Sequence, residues 1–340
     1  MVHVTAMTSR THTFSVAPMM GWTDRHCRKL MRLISVRARL YSEMITADAV
    51  IHGEAARLLE HDPADGPAAL QLGGAEPDKL ARAARIGAGF GYDEINLNVG
   101  CPSDRVRSGR FGACLMAEPA LVADCVRAMK EEVRLPVTVK CRIGIDDQDP
   151  EKALFAFARE QAVAGADALI VHARKAWLEG LSPKENRDLP PLDHRLVHRL
   201  KREVPAMTIV INGGIGTLAA ARDHLAHVDG VMLGRAAYHT PELLARVDRD
   251  LFAAAAPVPD MGEVVRRFLP HIEAERARGT PLSAMTRHML GLFHGRPGAR
   301  GWRRHLAENA HHPDAGPDVV RAALAVTERA GRHAAAREAA

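Results

Sequence analysis

From Phe14 to about Gly234, short β-rich apolar runs alternate with Ala/Leu/Arg stretches whose apolar positions recur at helical period. The runs are FSVAP, RLYSEM, PAALQLG, YDEINLN, PVTVKCR, DALIVHA, TIVINGG and VDGVMLG; Pro77–Ala88 and Ala120–Val133 exemplify the stretches between them. Eight strand–helix units predict an α/β fold, a closed (β/α)8 TIM barrel. A doubly wound open sheet would more often carry a GxGxxG turn after its first strand, where this chain has APMMGWTD. Beyond Gly234 the strand signals stop. DMGEVVRRFLPHIEAERARG ends at a glycine, LSAMTRHMLGLF has helical spacing, and a third helix begins near Pro297. The expected organisation is a disordered tail over residues 1–12, a barrel over 13–255, a C-terminal helical domain over 256–326 and a second disordered tail over 327–340, which is simple in composition.

The 340 residues suffice for one large domain and a smaller one. No apolar run approaches the roughly 18 to 20 residues that span a bilayer, and MVHVTAMTSRTHTF lacks the apolar core of a signal peptide. The expectation is a soluble, cytoplasmic protein with no membrane association. Its five cysteines, Cys27, Cys101, Cys114, Cys125 and Cys141, are then expected to be reduced. There is no CxxC pair and no tight Cys/His cluster, so no metal site is expected. The net charge of +5 is moderate, but its distribution is uneven. Arg266, Arg267, Arg276, Arg278, Arg287, Arg296, Arg300, Arg303 and Arg304 crowd one region, which suits it to an anion.

In such barrels chemistry sits at the C-terminal ends of the strands. Those ends read Pro18-Met19, Glu43-Met44, Gln71-Leu72, Asn96-Leu97-Asn98, Lys140-Cys141-Arg142, Val171-His172, Asn212-Gly213-Gly214 and Gly234-Arg235. In PVTVKCR, Val137, Val139 and Cys141 share one face, leaving Thr138, Lys140 and Arg142 to point into the barrel. Buried cations need partners: either carboxylates such as Glu43 and Asp167, or an anionic or electron-rich ligand. The turns INGGIGT and LGRAAY precede helices, where bare N–H groups can cradle phosphate, although a glycine pair can also serve only a tight turn. A phosphate cradle, an inward lysine, Gln71 and His172 suit a phosphorylated cofactor such as FMN. Cys101 stands apart from the other cysteines. It follows the fourth run between Gly100 and Pro102, which fix the local backbone and aim the thiol.

Together, APMMGWTDRHCR, LYSEMITADAV, LQLGG, INLNVGCPSDRV, VKCRIGIDD, VHARKAWLEGLSPKENRDLPPL, INGGIG and LGRAAY resemble the tRNA-dihydrouridine synthases, and most of all the subgroup acting on uridines 20 and 20a of the D-loop. The motifs run in order over roughly residues 14 to 310. The resemblance implies an FMN barrel followed by a helical domain. It implies that Pro18, Met19, Met20, Gln71, Lys140, His172, Asn212, Gly213, Gly214, Gly234 and Arg235 bind FMN, and that Cys101 donates a proton. It further implies that Asn98, Arg142, Lys184 and Arg187 contact substrate tRNA and that Arg300 and Arg303 orient it.

The implied reaction uses NADPH, with NADH as a possible substitute, to reduce the flavin, which passes hydride to C6 of uracil. Charge then develops at C5 and O4, and C5 needs a proton from the opposite ring face, a task that fits an aimed thiol. The uridine must leave its stack to be reached. No stable protein partner is expected, and the protein should be a monomer. Two other functions share many of these features: a flavin barrel reducing a free pyrimidine or an enoate, and a tRNA-binding protein without catalysis. The first leaves the arginine-rich helices without a task, and the second would carry no flavin.

Overall fold

A computed structural model describes residues 12–103, 106, 108–255 and 257–338. Its strands are β1 (Phe14–Val16), β2 (Arg39–Thr46), β3 (Ala68–Gly73), β4 (Glu94–Val99), β5 (Val137–Arg142), β6 (Ala168–His172), β7 (Thr208–Asn212) and β8 (Gly230–Leu233). They close into a barrel in chain order, every pair parallel, with β8 returning to β1. This is the (β/α)8 barrel expected. The helices Pro77–Ala88 and Pro119–Glu132 fall where the helical periodicity lies.

Alternation along each strand decides what fills the barrel. Ala17, Tyr41, Ala69, Ile170, Val210 and Met232 form a buried apolar cluster. At the N-terminal ends of the strands the buried carboxylate of Glu94 accepts a hydrogen bond from the Tyr41 hydroxyl at 2.7 Å and lies 3.2 Å from Arg39. An ionised group buried here needs that company. His12, also buried, stands 3.7 Å from the same carboxylate, and its pKa is lowered mainly by burial. The rest of the expected N-terminal tail, residues 1–11, lies outside the described residues.

The chain divides into two compact units: the described residues up to Gly21 with Arg39–Gly234, and Trp22–Ala38 with the residues from Arg235 onward. The second unit is helical, and it includes helix Arg25–Ile34, capped by Asp24. Arg25 pairs with Glu275 at 2.7 Å, His26 Nδ1 meets His271 Nε2 at 2.9 Å, and the Val36 N–H donates to Asp248 at 2.8 Å. Contacts across more than 200 positions recruit this early segment to the late helices.

Met261–Ala277, Ala299–Asn309 and Pro317–Glu338 are the longest later helices of the unit, and Trp302 and Leu306 are buried, as expected from their spacing. The expectation of disorder over 327–340 does not hold through residue 338, where the last helix continues. Its alanine-rich composition is low in complexity but high in helix propensity. Among the described residues no helix is long and apolar enough to cross a membrane.

Candidate active site

A file of buried polar side chains climbs the inside of the barrel from Glu94 to the mouth. The Thr138 hydroxyl donates to Glu94, Asn96 Nδ2 donates to Thr138 at 2.8 Å, and Gln71 Nε2 donates to Asn96 at 2.7 Å. Asn98 Nδ2 then donates to Gln71 Oε1 at 2.8 Å. Strand register makes this possible, because Gln71 pairs with Asn96 and Asn96 with Thr138 on one inward row. At the top, Asn98 Oδ1 accepts the N–H groups of Gly100 at 3.1 Å and Cys101 at 3.0 Å. Each amide therefore orients the next, and the last one orients the cysteine loop.

Cys101 is fixed on both sides: its N–H by Asn98, its carbonyl by the Ala113 N–H at 2.9 Å. Its thiol is partly exposed and lies 3.5 Å from the Ser103 hydroxyl. Burial raises the pKa of Cys114 and pushes Cys125 and Cys141 up to about 12, so those thiols are inert at neutral pH. Cys27 is fully enclosed in its helix. Access thus separates Cys101 and Cys114 from the three buried thiols, and Cys101 differs from Cys114 in its anchored backbone and its place at the end of β4.

Two inward cations stand beside this loop, and neither has a carboxylate partner among the described residues. Glu43 accepts the Gly21 N–H, and Asp167 is spent on Lys130 at 2.7 Å and the Val137 N–H at 2.7 Å. Lys140 is held down to about 8, first by burial and then by the positive charge of Arg142. Arg142 is itself lowered to about 10 by burial, with Arg187 and Arg174 nearby as like charges. Its guanidinium donates to the carbonyls of Gly100 (3.1 Å), Lys175 (3.1 Å) and Asn186 (2.9 Å). Arg142 therefore ties the cysteine loop to the loop after β6. Lys140 is left as a positive charge with no acid to meet it.

At the opposite rim, Asn212 Nδ2 donates to the Met232 carbonyl at 2.8 Å, and its neighbour in register is His172. Gly213 and Gly214 have φ of 112° and 71°, and a side chain there would strike His172 or Leu192, so the turn itself requires glycine. Gly216 has no such need. Its φ is not positive and no atom lies within 4 Å of where a Cβ would stand, leaving bare backbone ahead of helix Leu218–Leu225. Pro18 and Met19 are partly exposed at the end of β1, the Met19 sulfur lies 3.6 Å from where a Cβ on Gly234 would stand, and Met20 is 65% exposed. Lys184 and Arg187 are exposed on the loop after β6.

A sequence profile of the family described as "Dihydrouridine synthase (Dus)" matches residues 15–328. The chain belongs to the dihydrouridine synthase family. Proteins named tRNA-dihydrouridine(20/20a) synthase from Yersinia pestis and Vibrio parahaemolyticus are both 56% identical to it, over 92% and 93% of this chain and 91% and 97% of theirs. A third of that name, from Xanthomonas axonopodis pv. citri, is 56% identical over 92% of this chain and 93% of its own. Among solved structures, an old yellow enzyme homologue from Zymomonas mobilis superposes with a TM-score of 0.50 at 15% identity, covering 74% of this chain and 91% of that one. That likeness speaks to the barrel fold alone.

Within this dihydrouridine synthase, the first unit gathers Gln71, Asn98, Cys101, Lys140, Arg142, His172 and Asn212 at the C-terminal ends of its strands. Arg235, Arg300, Arg303 and the other arginines beyond residue 234 belong to the second unit. There Arg266, Arg278, Arg287 and Arg296 pair with Glu263 and Glu328, Glu275, Asp24 and Glu242. Arg300 and Arg304, exposed, and Arg303, partly exposed, have no acidic partner among the described residues. Sequence reading passed over Asn186, which is fully buried and supports the loop after β6 from inside. Nothing in KENRD marks its asparagine as structural.

Proposed function

We propose that this protein reduces the 5,6 double bond of uridine to dihydrouridine in the D-loop of tRNA, at positions 20 and 20a, using FMN and NADPH, with NADH as an alternative reductant. The observation that carries the reading is the pairing of an anchored, accessible thiol, Cys101, with an inward ammonium, Lys140, that no carboxylate among the described residues neutralises. The names of the relatives from Yersinia and Vibrio support the same substrate.

The residues fit a flavin mononucleotide. Lys140 offers a positive charge to an electron-rich ring, Gly216 and Gly214 offer backbone to a phosphate, and Pro18, Met19 and Met20 offer a partly open apolar edge. Gln71 and His172 are inward hydrogen-bonding groups, with Asn212, Gly213 and Gly234 framing the turn side. When bound, the flavin supplies the hydride.

The chain's own groups do the rest. Cys101 holds the proton destined for C5 of the uracil ring. Lys140 opposes the negative charge that grows as C6 is reduced. Asn98 and Arg142, expected from the resemblance to touch RNA, act in this reading as positioning residues, because their polar atoms hold the Gly100 carbonyl and the N–H groups of Gly100 and Cys101. Lys184 and Arg187 meet the RNA backbone at the rim, and the arginine face of Ala299–Asn309 takes phosphates in the second unit. The protein acts as a cytoplasmic monomer. The test is the visible spectrum of the purified protein: flavin bands released as free FMN on denaturation support the reading, and a colourless protein that takes up no added FMN refutes it.

A further inference from the structure

Trp177 stands 38% exposed on the loop after β6, in a chain with three tryptophans and 4% aromatic residues. The other two are engaged: Trp22 stacks on Tyr238 with centroids 4.5 Å apart, and Trp302 is buried against Phe293. Exposing an indole forgoes the burial that usually places it inside, which calls for a reason.

The backbone beneath it is rigid. The Trp177 N–H donates to Asn186 Oδ1 and its carbonyl accepts from Asn186 Nδ2, both at 2.8 Å, while the Leu178 N–H donates to Asp146 at 2.8 Å. Ala176 bridges to Ile145 as a short extension of the barrel. The indole is therefore presented on a fixed base, so ordering it on contact costs little entropy.

Basic and acidic side chains alternate along its loop, with Glu179, Glu185 and Asp188 set among the cations. Lys175 Nζ lies 5.4 Å from the ring centroid, and Lys184 and Arg187 follow on the same loop. The loop is also tied to the reactive cysteine, since the Arg142 guanidinium donates to both the Gly100 and the Lys175 carbonyls, at 3.1 Å each. One group thus spaces the platform from Cys101.

We infer that Trp177 is a stacking platform for the unpaired base flanking the uridine that reacts at Cys101. The inference rests on the proposed reading of tRNA as substrate and adds a specificity residue to it. A base offers a π-face to the indole while its phosphate meets the lysines, a combination that an apolar protein partner would not satisfy. It is a single platform, in keeping with a chain too poor in aromatics for a stacking track along a strand.

The test uses full-length protein and a tRNA transcript free of modification, with both turnover and direct binding by fluorescence anisotropy. Loss of one base–aromatic stack predicts a rise of roughly 5- to 150-fold in KM and Kd for Trp177→Ala, with kcat at saturating tRNA changed less than about twofold. Trp177→Phe recovers most of the loss, whereas Trp177→Leu, apolar but without a π-face, does not. Unchanged Kd in Trp177→Ala overturns the inference, as does equal recovery by leucine and phenylalanine. A wild-type protein that binds tRNA through Trp177 but leaves it unreduced would refute the proposed function while sustaining the platform.

Discussion

Replacing Lys140 by methionine removes a charge that no carboxylate among the described residues compensates, while keeping a side chain of similar length. A lysine held at about 8 instead of its ordinary 10.5 carries a penalty of about 3 kcal/mol on its charged form, an upper limit here because solvent reaches part of the side chain. Flavin-stripped Lys140→Met should therefore be more stable than flavin-stripped wild type at pH 7, raising Tm by up to about 4 °C in a chain of 340 residues. The sign in pH follows from which form is penalised. Below about pH 8 the folded lysine is charged and the full cost is present; as pH rises from 8 to 10.5 only the unfolded chain stays protonated, so wild-type stability climbs and the gap to the variant closes. Thermal melts of both stripped proteins from pH 7 to 10.5 measure this directly. With FMN restored the order should reverse, because the anionic ligand uses the charge. A variant less stable than wild type without flavin, or a gap that does not narrow above pH 8, would refute the account of Lys140 as a cation kept for a ligand.

Two further outcomes follow from the same geometry. In Cys101→Ala, NADPH should still bleach the flavin while oxidation by tRNA slows by about 10² to 10⁴-fold, the usual contribution of a positioned acid; loss of bleaching would place the cysteine in the flavin site instead. In the second unit, Arg300→Ala with Arg303→Ala should weaken tRNA binding and flatten the slope of log affinity against log salt by about 0.7 to 0.9 per arginine removed. Unchanged affinity across a salt titration would return those side chains to a merely solvated face.

The barrel was legible because each strand is a short apolar run between helical stretches, and its inward positions follow from alternation alone. That alternation also put Lys140 and Arg142 on the correct face of PVTVKCR. It could not say whether the two cations meet carboxylates, since the answer depends on where Glu43 and Asp167 are spent, and both turn to backbone N–H groups. Asn98 and Arg142 were readable as polar groups at the mouth, yet their use in clamping the cysteine loop needs the three-dimensional positions of Gly100 and Lys175. Helix Arg25–Ile34 carries no local sign that it belongs with residues beyond 235, because the pairs that recruit it, such as Arg25 with Glu275, are made at long range. The final helix was hidden by its own composition, alanine and arginine reading as simplicity when they are also strong helix formers.

The most direct test of the central claim is an anaerobic stopped-flow experiment in which the NADPH-reduced protein is mixed with unmodified tRNA and, separately, with free uridine, while the flavin absorbance is followed. The account predicts that absorbance returns with tRNA, that dihydrouridine appears at positions 20 and 20a in matching amount, and that uridine leaves the flavin bleached. Reoxidation by uridine as fast as by tRNA, or a flavin that stays bleached with both, would contradict it.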